Sequence, residues 1–374
     1  MNPGVDRVRS QVVQAQDLPR AVRSAGVLGD HRRLHLDRDA RAELAGAGAV
    51  LQPLLDDPSV TDVLVNGHGG VWIDRGNGLQ LVPDAVIADP RALASRLATL
   101  AGQRLDDAVP VVDGRLPDGS RLHAVLQPVA VDGAHISLRT LRQRAFTVQD
   151  LRDLDFLDRI GERVIRRLVE VRANVLVSGA TGSGKTSLLA CALSLVPATE
   201  RIVCIEEAAE LAPNHPHIVH LQVRRPNVQG AGGIDLATLV RTAMRMRPDR
   251  LVLGECRGSE VREVLGALNT GHDGGWATVH ANSADDVPAR LVALGALAGL
   301  APSAVAVQAR AAIDAVLHLR RAKDGTRQLS QVGLLLPAGA DQMRCEAALV
   351  RSPDGLVATS SWPQLAARLD ATRP

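Results

Sequence analysis

The stretch NVLVSGATGSGKTSLL, residues 174–189, decides how the rest of the chain is read. An apolar run of strand character ends in a glycine-rich turn, and a run of helical character begins at Lys185. The turn fits the pattern GxxxxGK[ST]. Its glycines permit backbone conformations that a Cβ obstructs. Its N–H groups, backed by a helix N-terminus, form an anion cradle. In such a loop Lys185 brings a compact cation to β/γ-phosphates, and Thr186 offers a hydroxyl to Mg²⁺. The candidate nucleotide-binding residues are therefore Gly179, Ala180, Thr181, Gly182, Ser183, Gly184, Lys185, Thr186 and Ser187. Composition alone produces this pattern roughly 0.001 times in such a chain, so an accidental glycine turn is a poor account of it. The chain has only two lysines, Lys185 and Lys323, against 41 arginines. A lysine kept here suits a place where a point charge fits and a planar fork does not.

Working outward, strand-like runs (NVLVSG, RIVCIEE, IVHLQV, RLVLGE, WATVH) alternate with helical stretches. That alternation predicts a mainly parallel sheet with crossover helices. Three further strand-like runs and a polar tail follow residue 314. The apolar run at 201–211 ends on Glu206 and Glu207, and the run at 247–258 reaches Glu255. Acids at the C-terminal ends of parallel strands sit where open α/β sheets bind ligands. One can hold water on Mg²⁺ and another can orient an attacking water. Glu206 is the first choice for the general base, and Glu255, the second metal-side candidate with Thr186, is an alternative for both jobs.

The first half has a different character. TDVLVN, GVWID, LQLVP, VPVVD, SRLHAVL and HISLR are short strand-like runs, with helical stretches at 41–58 and about 90–103. Residues 1–40 read as a mobile or loosely helical arm, 41–141 as a small α+β domain, 142–150 as a linker, and 151–374 as the phosphate-loop domain. At 374 residues two domains are expected. Apolar residues make up 46% and charged residues 22%, and the net charge is +2. No basic run appears, so wholesale binding to a phosphate backbone is not implied. The four cysteines form no CxxC pair, which argues for a reducing compartment and against a disulfide or zinc framework. The N-terminal stretch has no apolar core of a signal peptide, and the apolar run 291–307 is too short and too weak to span a bilayer.

Four motifs occur in order: GATGSGKT, RIVCIEEAAEL, RMRPDRLVLGECRG and NTGHDGGWATVHANS. Together they resemble the Walker A, Asp-box, Walker B and His-box signatures of the type II/IV secretion-system ATPases. The branch most resembled is the tight-adherence (Flp-type) pilus assembly ATPases, TadA or CpaF. TDVLVNG, LPDGSRLHAVL and ISLR resemble that family's N-terminal domain. The resemblance covers about residues 45–320. It implies a RecA-like P-loop motor domain preceded by a smaller PAS-like α+β domain. It further implies a cytoplasmic homo-hexamer that hydrolyses ATP with Mg²⁺ and drives pilus assembly or protein export through inner-membrane platform proteins; the near-neutral charge and five aromatic residues add the expectation of no direct nucleic-acid binding. Departures from the family pattern are Glu207 in place of the usual second Asp, and Cys256 where Val is common. Gly254 stands before Glu255 where many other ATPases have Asp, a form the family shares.

His272 and His280 read locally as hydrogen-bonded structural histidines. The resemblance makes them His-box residues near the γ-phosphate or a subunit face. A neutral imidazole can donate on one side and be oriented on the other. Arg121 and Arg139 read locally as solvated strand arginines, and the resemblance implies that they reach the phosphates. Arg241 and Arg245 are spaced for one helix face. His215, His217 and His220 resemble metal spacing only superficially, because Pro216 breaks any helix and no Cys or carboxylate cluster joins them. Two other functions compete. A RecA-like nucleic-acid motor would want aromatic stacking platforms, and the chain has five aromatic residues, two Phe and three Trp. A non-hydrolysing nucleotide-dependent scaffold would not need Lys185, Thr186, Glu206 and Glu255 together.

Overall fold

A computed structural model describes residues 46–57, 59–76, 78–140, 145–224, 226, 231–271, 273–322, 324–339 and 342–371. The arm at 1–40 and His272 lie outside the described residues. The chain divides into two compact units between Gln143 and Arg144.

The first unit contains α1 (Gly48–Leu55), β1 (Asp62–Val65), β2 (Gly70–Asp74), β3 (Leu79–Val86), α2 (Pro90–Leu100), β4 (Val111–Arg115), β5 (Arg121–Val125) and β6 (His135–Arg139). All six strands pair antiparallel in the order β3-β2-β1-β6-β5-β4. Burial alternates along β1, β2, β5 and β6, as a sheet with one covered face requires. Val63, Val65, Leu122, Ala124, Ile136 and Leu138 enter a core shared with Leu51 of α1 and Leu97 of α2. Asp89 caps α2 through the Ala92 N–H, and Pro90 opens the helix at a position needing no donor.

The second unit opens with α3 (Val148–Asp153) and α4 (Arg159–Glu170). Thr147 and Asp150 form a reciprocal capping box, so 148–150 are helix and not linker. There follow β7 (Val175–Gly179), α5 (Lys185–Leu193), β8 (Ile202–Glu206), β9 (Ile218–Gln222), α6 (Leu236–Ala243), β10 (Arg250–Cys256), α7 (Val261–Leu268) and β11 (Trp276–Val279). The unit closes with α8 (Val287–Leu297), α9 (Pro302–Ala312), β12 (Ala315–Arg321), β13 (Arg327–Pro337), β14 (Met343–Ser352), β15 (Gly355–Ala358) and α10 (Trp362–Ala371). The nine strands lie in the order β15-β14-β13-β12-β7-β11-β10-β8-β9. From β12 to β9 all pairings are parallel, and from β12 to β15 they are antiparallel. β7, β8 and β11 are buried along their whole length, as expected for strands covered on both faces.

Two sequence readings are corrected here. Four strands follow residue 314, and the first of them, β12, joins the parallel set beside β7. The polar tail carries α10, whose Leu365 and Leu369 are buried in the core with Leu168 and Leu349. Its apolar residues sit four apart, which fits one helix face against the sheet layer. Among the described residues no single helix is long and apolar enough to cross a membrane. The apolar pair α8–α9 is bent by 120° and contributes Leu291, Leu294, Val305 and Ala309 to the core.

Candidate functional site

β7 runs straight into the phosphate loop. Gly179, Gly182 and Gly184 have φ of 151°, 73° and 96°. A Cβ on Gly179 would meet Leu319 O and Ser183 Oγ at 2.6 Å, and one on Gly184 would meet Phe156 Cε2 at 2.6 Å. The loop is thus packed so that its backbone, not side chains, forms the cradle. α5 has Gly184 at its N-cap, no side-chain cap and no acid in its first turn. Such a helix end is an electropositive N-terminus whose first-turn N–H groups suit an anion.

Lys185 is 8% exposed. Its Nζ donates to Gly179 O and Ala180 O, both at 2.9 Å, and lies 3.2 Å from His280 Nδ1. Burial holds the Lys185 pKa below the usual lysine range, although Glu255 opposes the shift. His280 follows β11 at the end of the strand beside β7. Its Nε2 lies 2.8 Å from Glu255 Oε1. Lysine has only donors, so the neutral ring accepts at Nδ1 and carries its proton on Nε2, while a ring contact to the Gly179 backbone works in the opposite direction by favouring the protonated form. Burial, and then the Lys185 charge, lower the His280 pKa, which favours this neutral form. Lys185 at the start of α5, His280 just after β11 and Glu255 of β10 therefore make one chain of contacts.

Glu255 is held from its far side as well. Arg257 approaches Oε1 with Nε at 2.6 Å and donates from Nη2 to Oε2 at 2.7 Å. Its Nη1 donates to Glu207 Oε2 at 2.9 Å. Burial pushes the Glu255 pKa up, but the Arg257 bond, the neighbouring His280 and the charges of Arg257 and Lys185 outweigh it, and the carboxyl stays below its ordinary range.

Glu206, at the end of β8, is 4% exposed. Its Oε1 accepts the N–H groups of Glu210 and Leu211 at 2.8 and 2.9 Å, and Oε2 faces His220 Nδ1 at 3.7 Å. A Cβ on Gly254 would come within 2.7 Å of Glu206 Cγ. This accounts physically for the glycine before Glu255: the Glu206 side chain occupies the space where an aspartate would stand.

The remaining sequence candidates divide clearly. Thr186 is exposed and Ser187 half-buried on the first turn of α5. Arg121 and Arg139 belong to the first unit, where they pair with Asp113 at 3.0 Å and Asp62 at 3.3 Å. Register adds a residue that the sequence reading passed over: Arg115, Arg121 and Arg139 are cross-strand neighbours on β4, β5 and β6. A second addition is Arg327 of β13, whose Nε donates to Gly182 O at 2.7 Å. Neither is marked by a local pattern, because each becomes visible only through strand pairing. Arg241 pairs with Glu263 rather than with Arg245's helix face, since α6 ends at Ala243. Among the described residues no group of three or more His, Cys, Asp or Glu could hold a metal ion, and His215 and His217 contact Pro197 O and Arg201 instead.

The donor set fits a nucleotide triphosphate with its divalent ion: a backbone cradle, a buried lysine, a helix N-terminus, a nearby hydroxyl and two carboxylates. This arrangement defines a two-domain phosphate-loop α/β fold. The crystal structure of the Legionella pneumophila ATPase DotB shares it, with a TM-score of 0.53 and 17% identity over 81% of this chain and 80% of that chain. Residues 44–348 match the family described as Type II/IV secretion system protein, and the chain belongs to that family. A Mycobacterium tuberculosis (strain H37Rv) protein provisionally named for conjugal transfer is 48% identical over 320 residues, 83% of this chain and 91% of its own. The conjugal transfer protein TrbB of Rhizobium radiobacter is 30% identical over 277 residues, 73% of this chain and 83% of its own.

Proposed function

We propose that the chain is an ATP-hydrolysing motor of a secretion or pilus-assembly system, within the tight-adherence branch of its family. The observation that carries this reading is the continuous Lys185–His280–Glu255 chain beside the glycine cradle. The cradle N–H groups and Lys185 hold the phosphates of ATP. Thr186 Oγ1 and, through water, Glu255 would hold Mg²⁺, which when bound would neutralise phosphate charge. Glu206 accepts the proton of the attacking water, and its caged Oε1 keeps the carboxylate aimed. His280, fixed as the Nε2–H tautomer, links the cation at the phosphates to the carboxylate at the metal and so reports the state of one to the other.

The same reading assigns Arg121 and Arg139 to the γ-phosphate charge that develops in the transition state. Arginines in this role are worth several kcal/mol of barrier. ATP then draws the two units together, and that rigid-body closure transmits force around a homo-hexamer. The motor works at the cytoplasmic face of the inner membrane through platform proteins. Relatives named for conjugal transfer support an export machine as the setting.

The test separates binding from chemistry. Purified chain should release phosphate from ATP with Mg²⁺ present. Lys185→Ala should lose nucleotide binding, whereas Glu255→Gln should bind nucleotide and lose turnover. Wild-type turnover by Glu255→Gln at saturating ATP refutes the assignment. Light scattering with a non-hydrolysable ATP analogue should report a hexamer, and an active strict monomer contradicts the ring.

A further inference from the structure

His318 is a buried histidine that the mechanism above does not use. It sits on β12 at 5% exposure, between Leu317 and Leu319, in a strand otherwise suited to aliphatic packing. A polar ring there is costly unless both nitrogens find partners. They do. Its Nδ1 lies 2.9 Å from the buried Ser178 Oγ, and the ring also hydrogen-bonds the backbone of Asn282. The Asn282 contact favours the protonated nitrogen, so the backbone group is the carbonyl and Nε2–H is the donor. Ser178 O–H then donates to Nδ1. Burial lowers the His318 pKa and keeps the ring in this neutral form.

The position of the tie gives it meaning. Ser178 immediately precedes Gly179, the first residue of the phosphate loop. Asn282 follows His280 by two residues. The β7–β11 ladder pairs Val279 with Ser178 and ends there. Beyond that point the 280–282 segment leaves the sheet, while β7 stays paired with β12 through Gly179. His318 is the ladder partner of Ser178 on β12, and its ring ties the departing segment back to β7.

We propose that His318 is a positioning residue of the hydrolytic site, holding the 280–282 backbone against the phosphate-loop strand so that His280 stays in line between Lys185 and Glu255. The proposal rests on the hydrolase reading above. It goes beyond it by assigning a task to a residue that touches neither phosphate nor metal. The tie is built from a residue 140 positions from Ser178 in sequence, so it also makes the geometry of the site depend on the docking of β12.

Three variants of the full chain test it. Leu fills the site without hydrogen bonds; Ser178 Oγ keeps Leu317 O within 3.4 Å, and the exposed Asn282 can hydrate, so folding is expected to survive. Gln offers an N–H where Nε2 lies, and Asn offers an oxygen where Nδ1 lies. His318→Leu should leave the affinity for a fluorescent ATP analogue unchanged and lower kcat about tenfold, the scale of one lost positioning bond. His318→Gln should recover most of kcat and His318→Asn should not. His318→Leu combined with His280→Ala should be no slower than His280→Ala alone. Amide hydrogen exchange gives a readout that needs no ATP: exchange across 279–286 should rise in the Leu variant and return to wild type in the Gln variant. Unchanged exchange there, or additive losses with His280→Ala, overturns the proposal. A wild-type chain that hydrolyses no ATP overturns the hydrolase reading, and the exchange arm then still decides whether the tie exists.

Discussion

Replacing Gly254 with alanine places a methyl carbon 2.7 Å from Glu206 Cγ and 3.3 Å from Glu206 Oε1. Carbon atoms in ordinary contact stand about 3.5–4.0 Å apart, so Glu206 must retreat by about 1 Å. It cannot do so at little cost. Its Oε1 is fixed by two backbone N–H donors, and the residue is 4% exposed. Losing both bonds to a buried carboxylate costs about 3–6 kcal/mol, since bonds to charged groups are worth about 1.5–3 kcal/mol each. For a unit of this size that is a fall in Tm of roughly 6–24 °C. Turnover should fall by more than tenfold, because Glu206 is the proposed base, while nucleotide affinity holds. The assay is a double-mutant cycle read by calorimetry and phosphate release. In a Glu206→Ala background the added Gly254→Ala should cost almost nothing, because the clashing atoms are gone. Equal losses of stability in both backgrounds, or a Gly254→Ala protein with wild-type Tm and turnover, would refute the steric argument.

Arg121→Ala and Arg139→Ala should each cut turnover severely yet shift stability by less than about 1 kcal/mol, because both lose half-exposed ion pairs; a stability loss matching the activity loss in thermal melts contradicts this. The His318 pKa is lowered in the fold, so the unfolded chain holds that proton more tightly. The stability it contributes is complete above its ordinary value of 6.5 and is lost as pH falls below it. Wild type should therefore lose more Tm between pH 7.5 and 5.5 than His318→Gln does, and parallel pH profiles would remove the argument. Leu365→Ala in α10 should cost about 2–5 kcal/mol, the range for a fully buried leucine, and a near-neutral effect in chemical denaturation would mean that α10 is not part of the core.

The parts of this molecule that follow local rules were legible in its sequence. The phosphate loop declares itself because GxxxxGK[ST] is a backbone requirement written in glycines. The parallel sheet declares itself because its buried strands are continuous apolar runs. The start of α3 was also written, in the Thr147–Asp150 capping box, but a short polar segment between two domains reads more readily as linker. The pairing of Arg257 with Glu255 and Glu207, the Arg327 contact to Gly182, and the tie from His318 to Ser178 were not legible. Each depends on which strands become neighbours, and β12 lies beside β7 although well over a hundred residues separate them. The glycine before Glu255 was visible as a departure from other ATPases. Its cause, the Glu206 side chain lying over it, required the register of β8 against β10.

The central claim is that Lys185 at the start of α5, His280 after β11 and Glu255 of β10 act as one unit. The most direct measurement is single-turnover phosphate release at saturating ATP and Mg²⁺ for wild type, His280→Ala, Glu255→Gln and the double variant. Residues that act as a unit are non-additive. The account predicts that each single variant is slowed and that the double variant is no slower than Glu255→Gln. Losses that multiply would show two independent contributions and contradict the account.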